Sequence, residues 1–197
     1  MNIANKITMS RIVLAFIFIF FFSFPFPGDW VLWTKGASLV IFLAAAATDF
    51  IDGKIAQKRK MVTDFGKLMD PIADKILVLS AFLNFVQMGL IPGWMVVIIV
   101  ARELLVTSLR LFALNKGKVL AAGRAGKHKT FSQIVLIVFI LGFVVFKEAI
   151  KMFSTWNPNW EVGFAWSVNI VMFVVVVQTL WSGISYLWDN RKIIANV

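Results

Sequence analysis

The sequence predicts an all-α integral membrane protein with six transmembrane helices and a short N-terminal interfacial helix, in a single domain over residues 1–197. Its composition is 60% hydrophobic and 15% charged, with a mean hydropathy of +0.85. Soluble domains are less apolar and carry more charge. The apolar residues also fall into six long runs, and most of the basic residues lie between them. These observations favour a membrane protein over a soluble one.

Each apolar run approaches the length of about 20 residues that a helix needs to cross the hydrocarbon core of a bilayer. The predicted spans are Ile12–Pro27, Gly36–Asp52, Pro71–Leu90, Gly93–Leu114, Thr130–Phe146 and Phe164–Leu187. Residues 2–11 mix polar and apolar types, which indicates a helix lying on the membrane surface. The first span is rich in phenylalanine, which we expect to face lipid.

Lysine and arginine predict the orientation, because basic residues concentrate on the cytoplasmic side of membrane proteins. Fifteen lie on the side that holds both termini, and only Lys35, Lys147 and Lys151 lie on the other. Both termini and the two basic loops are therefore predicted to be cytoplasmic, in a bacterial inner membrane. The net charge of +10 suits anionic lipid and an anionic substrate, whereas nucleic acid is disfavoured because the basic residues sit in short loops.

Four aspartates form the most informative pattern in the sequence. Asp49 and Asp52 are three residues apart at the end of the second span, and Asp70 and Asp74 are four apart near the start of the third. These spacings put each pair on one helix face, and the short connection predicts neighbouring antiparallel helices, so four carboxylates can converge. Carboxylates are costly at a membrane boundary unless cations neutralise them. Oxygen ligands favour Mg²⁺ or Mn²⁺, and two ions would balance four carboxylates and suit displacement at phosphorus.

A simpler interpretation is that the aspartates form salt bridges with neighbouring basic residues. The available partners are Lys54, Lys58, Arg59, Lys67 and Lys75. Salt bridges could explain any single aspartate, but they do not require two mirrored pairs with Gly53 and Gly66 nearby. Glycine destabilises a helix interior, so its presence here favours the close approach of a ligand to the backbone.

The pattern Asp-x2-Asp-Gly-x2-Ala, followed by Gly-x3-Asp-x3-Asp, resembles the signature of the CDP-alcohol phosphotransferases, and every spacing matches. The resemblance implies six membrane helices, a homodimer and a site that faces the cytosol. It implies Asp49, Asp52 and Asp70 as the principal metal ligands, and Asp74 as a metal neighbour and general base. The residues assigned to the CDP-linked lipid are Asn5, Thr8, Asp49, Gly53, Ala56, Gln57 and Gly66. Gln57 stands where the family usually has arginine.

A second group of polar residues lies in the fourth span and at the start of the fifth. Arg102 and Arg110 are eight apart, and arginine inside a membrane span indicates a functional site. Pairing of Arg102 with Glu103 is the weaker explanation because adjacent helix residues do not face each other, and snorkelling of Arg110 to the cytoplasm stays open. Guanidinium and ammonium groups suit a phosphate. The candidate ligands of an acceptor phosphate are Arg102, Thr107, Arg110, Lys127 and Lys129.

The runs Ala101–Glu103, Val106–Arg110 and Gly126–Thr130 are similar to those of family members whose acceptor is glycerol 3-phosphate. The resemblance thus implies CDP-diacylglycerol as donor and glycerol 3-phosphate as acceptor. Inositol phosphate or serine is the alternative acceptor. A divalent-cation transporter is a rival of another class. It is disfavoured because the aspartates cluster at one membrane face and the last two spans carry almost no polar residues. A membrane scaffold explains the helices but not the aspartate spacing.

Overall fold

The computed structural model describes the backbone of residues 3–28, 30–59, 64–115 and 124–195, and the side chains of residues 9–28, 30–48, 75–113 and 129–191. Within these ranges the regular structure is entirely helical, which confirms the predicted all-α class. The helices are α1 (Ile3–Ser23), α2 (Trp30–Arg59), α3 (Asp64–Gln87), α4 (Gly93–Asn115), α5 (Arg124–Phe153) and α6 (Pro158–Ala195).

Glycine marks the end of α3, and proline marks the start of α6. Gly89 follows the end of α3 with a φ of 71°, a left-handed conformation that glycine adopts without strain. Its N–H donates to the carbonyl of Val86 at 2.9 Å, which closes the last turn of the helix. The side chain of Asn157 accepts a hydrogen bond from the N–H of Asn159 at 3.0 Å and caps α6. Pro158 then occupies the first helical position, where its missing N–H costs nothing.

Three stretches of described helix are long and apolar enough to cross a membrane: Trp30–Thr48, Lys129–Phe153 and Pro158–Arg191. Shorter apolar stretches occupy Met9–Ser23 in α1 and Lys75–Gln87 in α3. Helix α4 differs because it carries Arg102, Glu103 and Arg110. The structure therefore confirms a helical protein with three described stretches that are long and apolar enough to cross a membrane, and the count of six spans stays a prediction.

Two boundaries differ from the sequence prediction. Helix α1 runs without a break from Ile3 to Ser23, so a separate interfacial helix at its start is not confirmed. Helix α5 begins at Arg124, so residues 124–129, which precede the predicted span, also belong to the helix. The glycine and lysines of this run are compatible with a helix start, and the apolar pattern alone marked only the part that enters the membrane.

The chain divides into two compact units, and the first comprises Met1–Phe85 and Ile137–Glu161. Helix α1 packs against α2 in this unit. Phe18 stacks on Phe22 at 5.6 Å between ring centroids and contacts Phe42 of α2 at 5.8 Å. Phe22 meets Phe85 of α3 edge to face at 5.9 Å. The hydroxyl of Ser23 donates to the amide oxygen of Asn84 at 2.6 Å, which ties α1 to α3.

The prediction that the phenylalanines of the first helix face lipid was wrong for two of them. Phe18 and Phe22 are buried, whereas Phe16, Phe20 and Phe24 are more than half exposed. The exposed set suits a lipid-facing surface. The buried pair forms the core between the first three helices, because aromatic rings bury a large apolar area and pack edge to face.

The second unit comprises Val86–Leu136 and Val162–Val197, so it contains all of α4, most of α6 and the start of α5. Val106 and Ala113 of α4 and Tyr186 of α6 form a buried apolar cluster in this unit. Next to this apolar core the unit buries several polar side chains. They are Glu103, Lys129, Gln133, Thr179, Ser182 and Asn190.

Candidate functional site

The backbone over all four predicted metal ligands is helical. Asp49 and Asp52 lie in α2, and Asp70 and Asp74 lie in α3. Since both stretches are helical, the three- and four-residue spacings place the positions of each pair on one face of their helix. Only four residues of sequence separate the end of α2 from the start of α3.

The side chains of these four aspartates lie outside the described residues, so their convergence stays a prediction. The same holds for the side chains of several other predicted site residues, which are Asn5, Thr8, Gly53, Ala56, Gln57, Gly66 and Lys127. Among the side chains that the structure does describe, no group of three or more His, Cys, Asp or Glu could hold a metal ion.

The chemistry of these four residues fits a hard divalent cation. Their donors would be carboxylate oxygens, which Mg²⁺ and Mn²⁺ prefer over nitrogen or sulfur ligands. The sequence has no cysteine and a single histidine, so it offers no softer ligand set. Two acidic positions on each of two consecutive helices are easier to explain by a shared divalent cation than by isolated salt bridges.

Arg102 is the centre of a polar cluster in the second unit. Its guanidinium Nη2 donates to the hydroxyl of Ser182 on α6 at 2.8 Å, and its side chain is 12% exposed. Its Nη1 lies 3.5 Å from a carboxylate oxygen of Glu103. The local pair that the sequence argument disfavoured therefore exists, although it is long for a hydrogen bond. Two partners hold the guanidinium on two sides, which fixes its plane.

Glu103 is shared between two cations. Its carboxylate pairs with the ammonium of Lys129 on α5 as well as with Arg102. Lys129 is 2% exposed and Glu103 is 9% exposed, so this is a buried pair. Lys129 was predicted to bind the acceptor phosphate directly. The structure places its ammonium on Glu103, so its clearest contribution is to bring α5 against α4 and to add positive charge.

Arg110 lies two turns along α4 from Arg102. Its guanidinium carbon is 5.9 Å from the ring centroid of Tyr186 on α6, within the range of a cation–π contact. Arg110 is also close enough to Arg102 for their like charges to act on each other. Thr107, the remaining candidate with a described side chain, is half-buried and lies between Arg102 and Arg110 in the sequence. The structure thus brings Arg102, Arg110 and Lys129 into one unit.

The described side chains of this cluster include three cations and one carboxylate. Glu103 pairs with both Arg102 and Lys129, and Arg110, which is exposed, lies on the same helix as Arg102. Arginine forks match the geometry of a phosphate, so the two arginines suit such an anion.

The buried pair of Lys129 and Glu103 predicts that substitutions of two lysines of α5 differ in their effect on stability. Lys129→Met should lower the free energy of unfolding by about 3 kcal/mol, because removing one partner leaves a buried charge uncompensated. This loss is at the low end of the range for breaking a buried ion pair, because Arg102 remains 3.5 Å from the carboxylate of Glu103. Unfolding in mixed micelles titrated with SDS would measure it.

Lys151→Met is the matched control for that measurement. Lys151 also lies on α5 and pairs with Glu148 at 3.0 Å, but its side chain is 44% exposed. Exposed pairs contribute about 0–1 kcal/mol, so this variant should stay close to the wild type. Equal losses in the two variants would mean that the Lys129 pair behaves as a surface pair.

Sequence reasoning missed the part that α6 plays in this cluster. The statement that the last two spans carry almost no polar residues was wrong, because the predicted span Phe164–Leu187 contains the buried residues Thr179 and Ser182; α6 also buries Asn190 beyond that span. The available signal was their spacing with Tyr186, which repeats every three or four residues and marks one helix face. That face carries small or polar residues in an otherwise apolar helix, a pattern typical of helix–helix contacts in membranes.

The chain belongs to the CDP-alcohol phosphatidyltransferase family, whose model matches residues 1–181. The match includes the four aspartates, Arg102, Glu103, Arg110 and Lys129, and it ends one residue before Ser182. The suspected family is thereby confirmed. Family membership, rather than the number of polar residues in the last two spans, is the reason to reject a divalent-cation transporter.

Several curated proteins resemble the chain over most of its length. A CDP-diacylglycerol–glycerol-3-phosphate 3-phosphatidyltransferase of Bacillus subtilis is 42% identical over 71% of this chain and 76% of its own length. The Escherichia coli K12 protein of the same name is 32% identical over 96% of this chain and 95% of its own. A probable phosphatidylglycerophosphate synthase of Mycobacterium tuberculosis is 39% identical over 71% of this chain and 66% of its own.

Proposed function

We propose that this chain transfers the phosphatidyl group of CDP-diacylglycerol to sn-glycerol 3-phosphate, giving phosphatidylglycerophosphate and CMP. The names of its relatives in three bacteria support this reaction. The observation that carries the choice of a phosphorylated acceptor is the guanidinium of Arg102, which Ser182 and Glu103 hold in place on the helix that also carries Arg110. An acceptor that brings its own phosphate suits this cluster, whereas serine does not.

The proposed reaction is a single displacement at phosphorus. The free hydroxyl of glycerol 3-phosphate loses its proton to Asp74, which acts as general base. The hydroxyl oxygen forms a bond to the phosphorus that carries diacylglycerol, and the phosphoanhydride bond to CMP breaks. CMP leaves with the electron pair of that bond. Positioning of the two substrates would supply much of the rate, as in other phosphoryl transfers.

We propose that Asp49, Asp52, Asp70 and Asp74 hold two Mg²⁺ or Mn²⁺ ions. Such ions, when bound, stabilise negative charge on the diphosphate and on the leaving CMP. Asn5, Thr8, Gly53, Ala56, Gln57 and Gly66 would contact the donor lipid. The close spacing of Gly53 and Ala56 on α2 gives a helix face with little side-chain bulk, which suits a nucleotide lying near the backbone.

Arg102, Thr107, Arg110 and Lys127 would bind the phosphate of the acceptor. The guanidinium of Arg102 is held by Ser182 and Glu103, so it is ordered before the acceptor arrives. Such preorganisation lowers the entropic cost of binding. Lys129 would pair with Glu103 and add positive charge to the site.

We further propose six membrane spans, with both termini and the site on the cytoplasmic side of a bacterial inner membrane. The excess of basic residues on the side of the termini supports this orientation. Exposed tryptophans also suit lipid boundaries, as seen for Trp30, Trp33 and Trp188. We propose one functional domain over residues 1–197, assembled as a homodimer.

Release of CMP by purified protein tests the function directly. With CDP-diacylglycerol and Mg²⁺ in mixed micelles, CMP should appear when glycerol 3-phosphate is added and not when inositol phosphate or serine replaces it. Release with serine and not with glycerol 3-phosphate would contradict the proposed acceptor. Uptake of divalent cations into liposomes without CMP release would instead support a transporter.

A further inference from the structure

Helix α6 forms one wall of the cluster around Arg102, and one short segment of the helix makes several contacts with the described side chains of the cluster. Ser182 accepts the hydrogen bond from Arg102 at 2.8 Å, and Tyr186 lies beneath Arg110 at 5.9 Å. Ser182 and Tyr186 are four residues apart, so they share one face of the helix. Gly183 lies between them.

Gly183 lies against the stem of Arg102. A Cβ atom at this position would lie 3.1 Å from Cγ of Arg102 and 3.8 Å from its Nε. The first distance is shorter than ordinary van der Waals contact, so a methyl group here would require the stem of Arg102 to shift by a few tenths of an ångström. The other described glycine of α6, Gly163, has no atom within 4 Å of the corresponding position. Gly183 therefore allows a close approach that the helix itself does not need.

Three buried donors in this unit have no hydrogen-bond partner among the described residues. They are Nε of Arg102, Nε2 of Gln133 and the hydroxyl of Tyr186. Tyr186 is 6% exposed and Gln133 is 3% exposed, so water does not readily reach them. A buried polar atom without a partner is costly and needs an explanation. A ligand rich in acceptor oxygens would satisfy such donors.

We propose that Ser182, Gly183 and Tyr186 of α6 position Arg102 and Arg110 for the acceptor, and that the Tyr186 hydroxyl donates to an oxygen of the acceptor. This inference rests on the proposed function, because it takes the acceptor to be glycerol 3-phosphate. Ser182 orients the Arg102 guanidinium, and Gly183 lets its stem lie against α6. Tyr186 supports Arg110 through its ring and leaves its hydroxyl available for the ligand. Affinity for the acceptor is then set by α6 as well as by the arginines of α4.

Gly183→Ala tests the positioning role. The added methyl should shift Arg102 and raise the KM for glycerol 3-phosphate by about tenfold, equivalent to about 1.4 kcal/mol. The KM for CDP-diacylglycerol should stay unchanged, which a general packing defect would not produce. Gly163→Ala, in the same helix but in open space, should leave both values unchanged. If Gly183→Ala fails to fold, Ser182→Ala removes the hydrogen bond without adding atoms and should raise the same KM.

Tyr186→Phe distinguishes binding of the acceptor by the Tyr186 hydroxyl from a purely structural role of that hydroxyl. Removing an unpartnered buried hydroxyl should keep or raise the thermal unfolding midpoint, because a desolvation cost disappears. The KM for glycerol 3-phosphate should nevertheless rise severalfold. Ser167→Ala is the control for Ser182→Ala, since the Ser167 hydroxyl is exposed and bonds only the carbonyl of Gly163.

The outcomes separate this inference from the function on which it rests. Wild-type turnover with glycerol 3-phosphate, together with an unchanged KM in the Ser182, Gly183 and Tyr186 variants, overturns the inference alone. A wild-type protein that releases no CMP with glycerol 3-phosphate overturns the proposed function, and the inference with it. A raised KM for the acceptor only in these variants supports both.

Discussion

Replacing Asp74 with asparagine should lower kcat by about 10²–10⁴-fold, the range that a positioned general base contributes. Asp74 is the expected neighbour of the metals and not a principal ligand, so asparagine, which keeps one oxygen, should be tolerated by the cations, but it cannot take a proton from the acceptor. Mn²⁺ binding should therefore persist while turnover is lost. Steady-state CMP release and Mn²⁺ titration of the same preparation would measure the two effects.

Asp189→Asn is the matched control for Asp74→Asn. Asp189 is an exposed carboxylate on α6, and the same substitution there should leave kcat unchanged. An Asp74→Asn protein with full turnover would remove Asp74 as the base. Loss of both metal binding and turnover would make Asp74 chiefly a ligand.

Arg102→Lys should raise the KM for glycerol 3-phosphate by about 10–100-fold, although the positive charge remains. Lysine presents a point charge and lacks the planar fork that binds two oxygens at once. It would also lose the geometry by which one guanidinium nitrogen bonds Ser182 at 2.8 Å while another faces Glu103. The KM for CDP-diacylglycerol should change little. Kinetics with one substrate varied at a time would separate the two values.

Arg191→Lys is the corresponding control, since Arg191 is an exposed arginine of α6 that lies over the ring of Trp188 at 4.5 Å. This variant should keep both KM values of the wild type. A wild-type KM for glycerol 3-phosphate in Arg102→Lys would show that charge alone suffices at position 102. The fork argument would then be wrong.

The helical class was readable from the sequence because apolar runs of membrane length are strong, local signals. The helix ends were less predictable. Helix α5 starts at Arg124, six residues before the predicted span, because a membrane helix can extend into water where hydropathy no longer marks it. Phe18 and Phe22 were misassigned for a related reason. Lipid and protein core are equally apolar, so composition cannot tell which face of α1 meets α2.

The candidate site was readable where it depends on spacing within one helix, as for Arg102 and Arg110. Contacts between helices were not readable. The sequence gives no direct sign that Lys129 of α5 pairs with Glu103 of α4, or that Ser182 of α6 meets Arg102. Glycine in an apolar helix has many uses. Gly183 becomes informative only once the structure shows the Arg102 stem 3.1 Å from where its Cβ would be.

Electron paramagnetic resonance of bound Mn²⁺ tests the aspartate site most directly. Titration of the purified protein in the presence of CDP should show two Mn²⁺ ions per chain whose spectra are coupled to each other. Asp49→Asn and Asp70→Asn should each abolish that coupling, whereas Asp189→Asn should preserve it. Absence of bound Mn²⁺ in the wild type, or coupling that survives both aspartate substitutions, would contradict a shared metal site on α2 and α3.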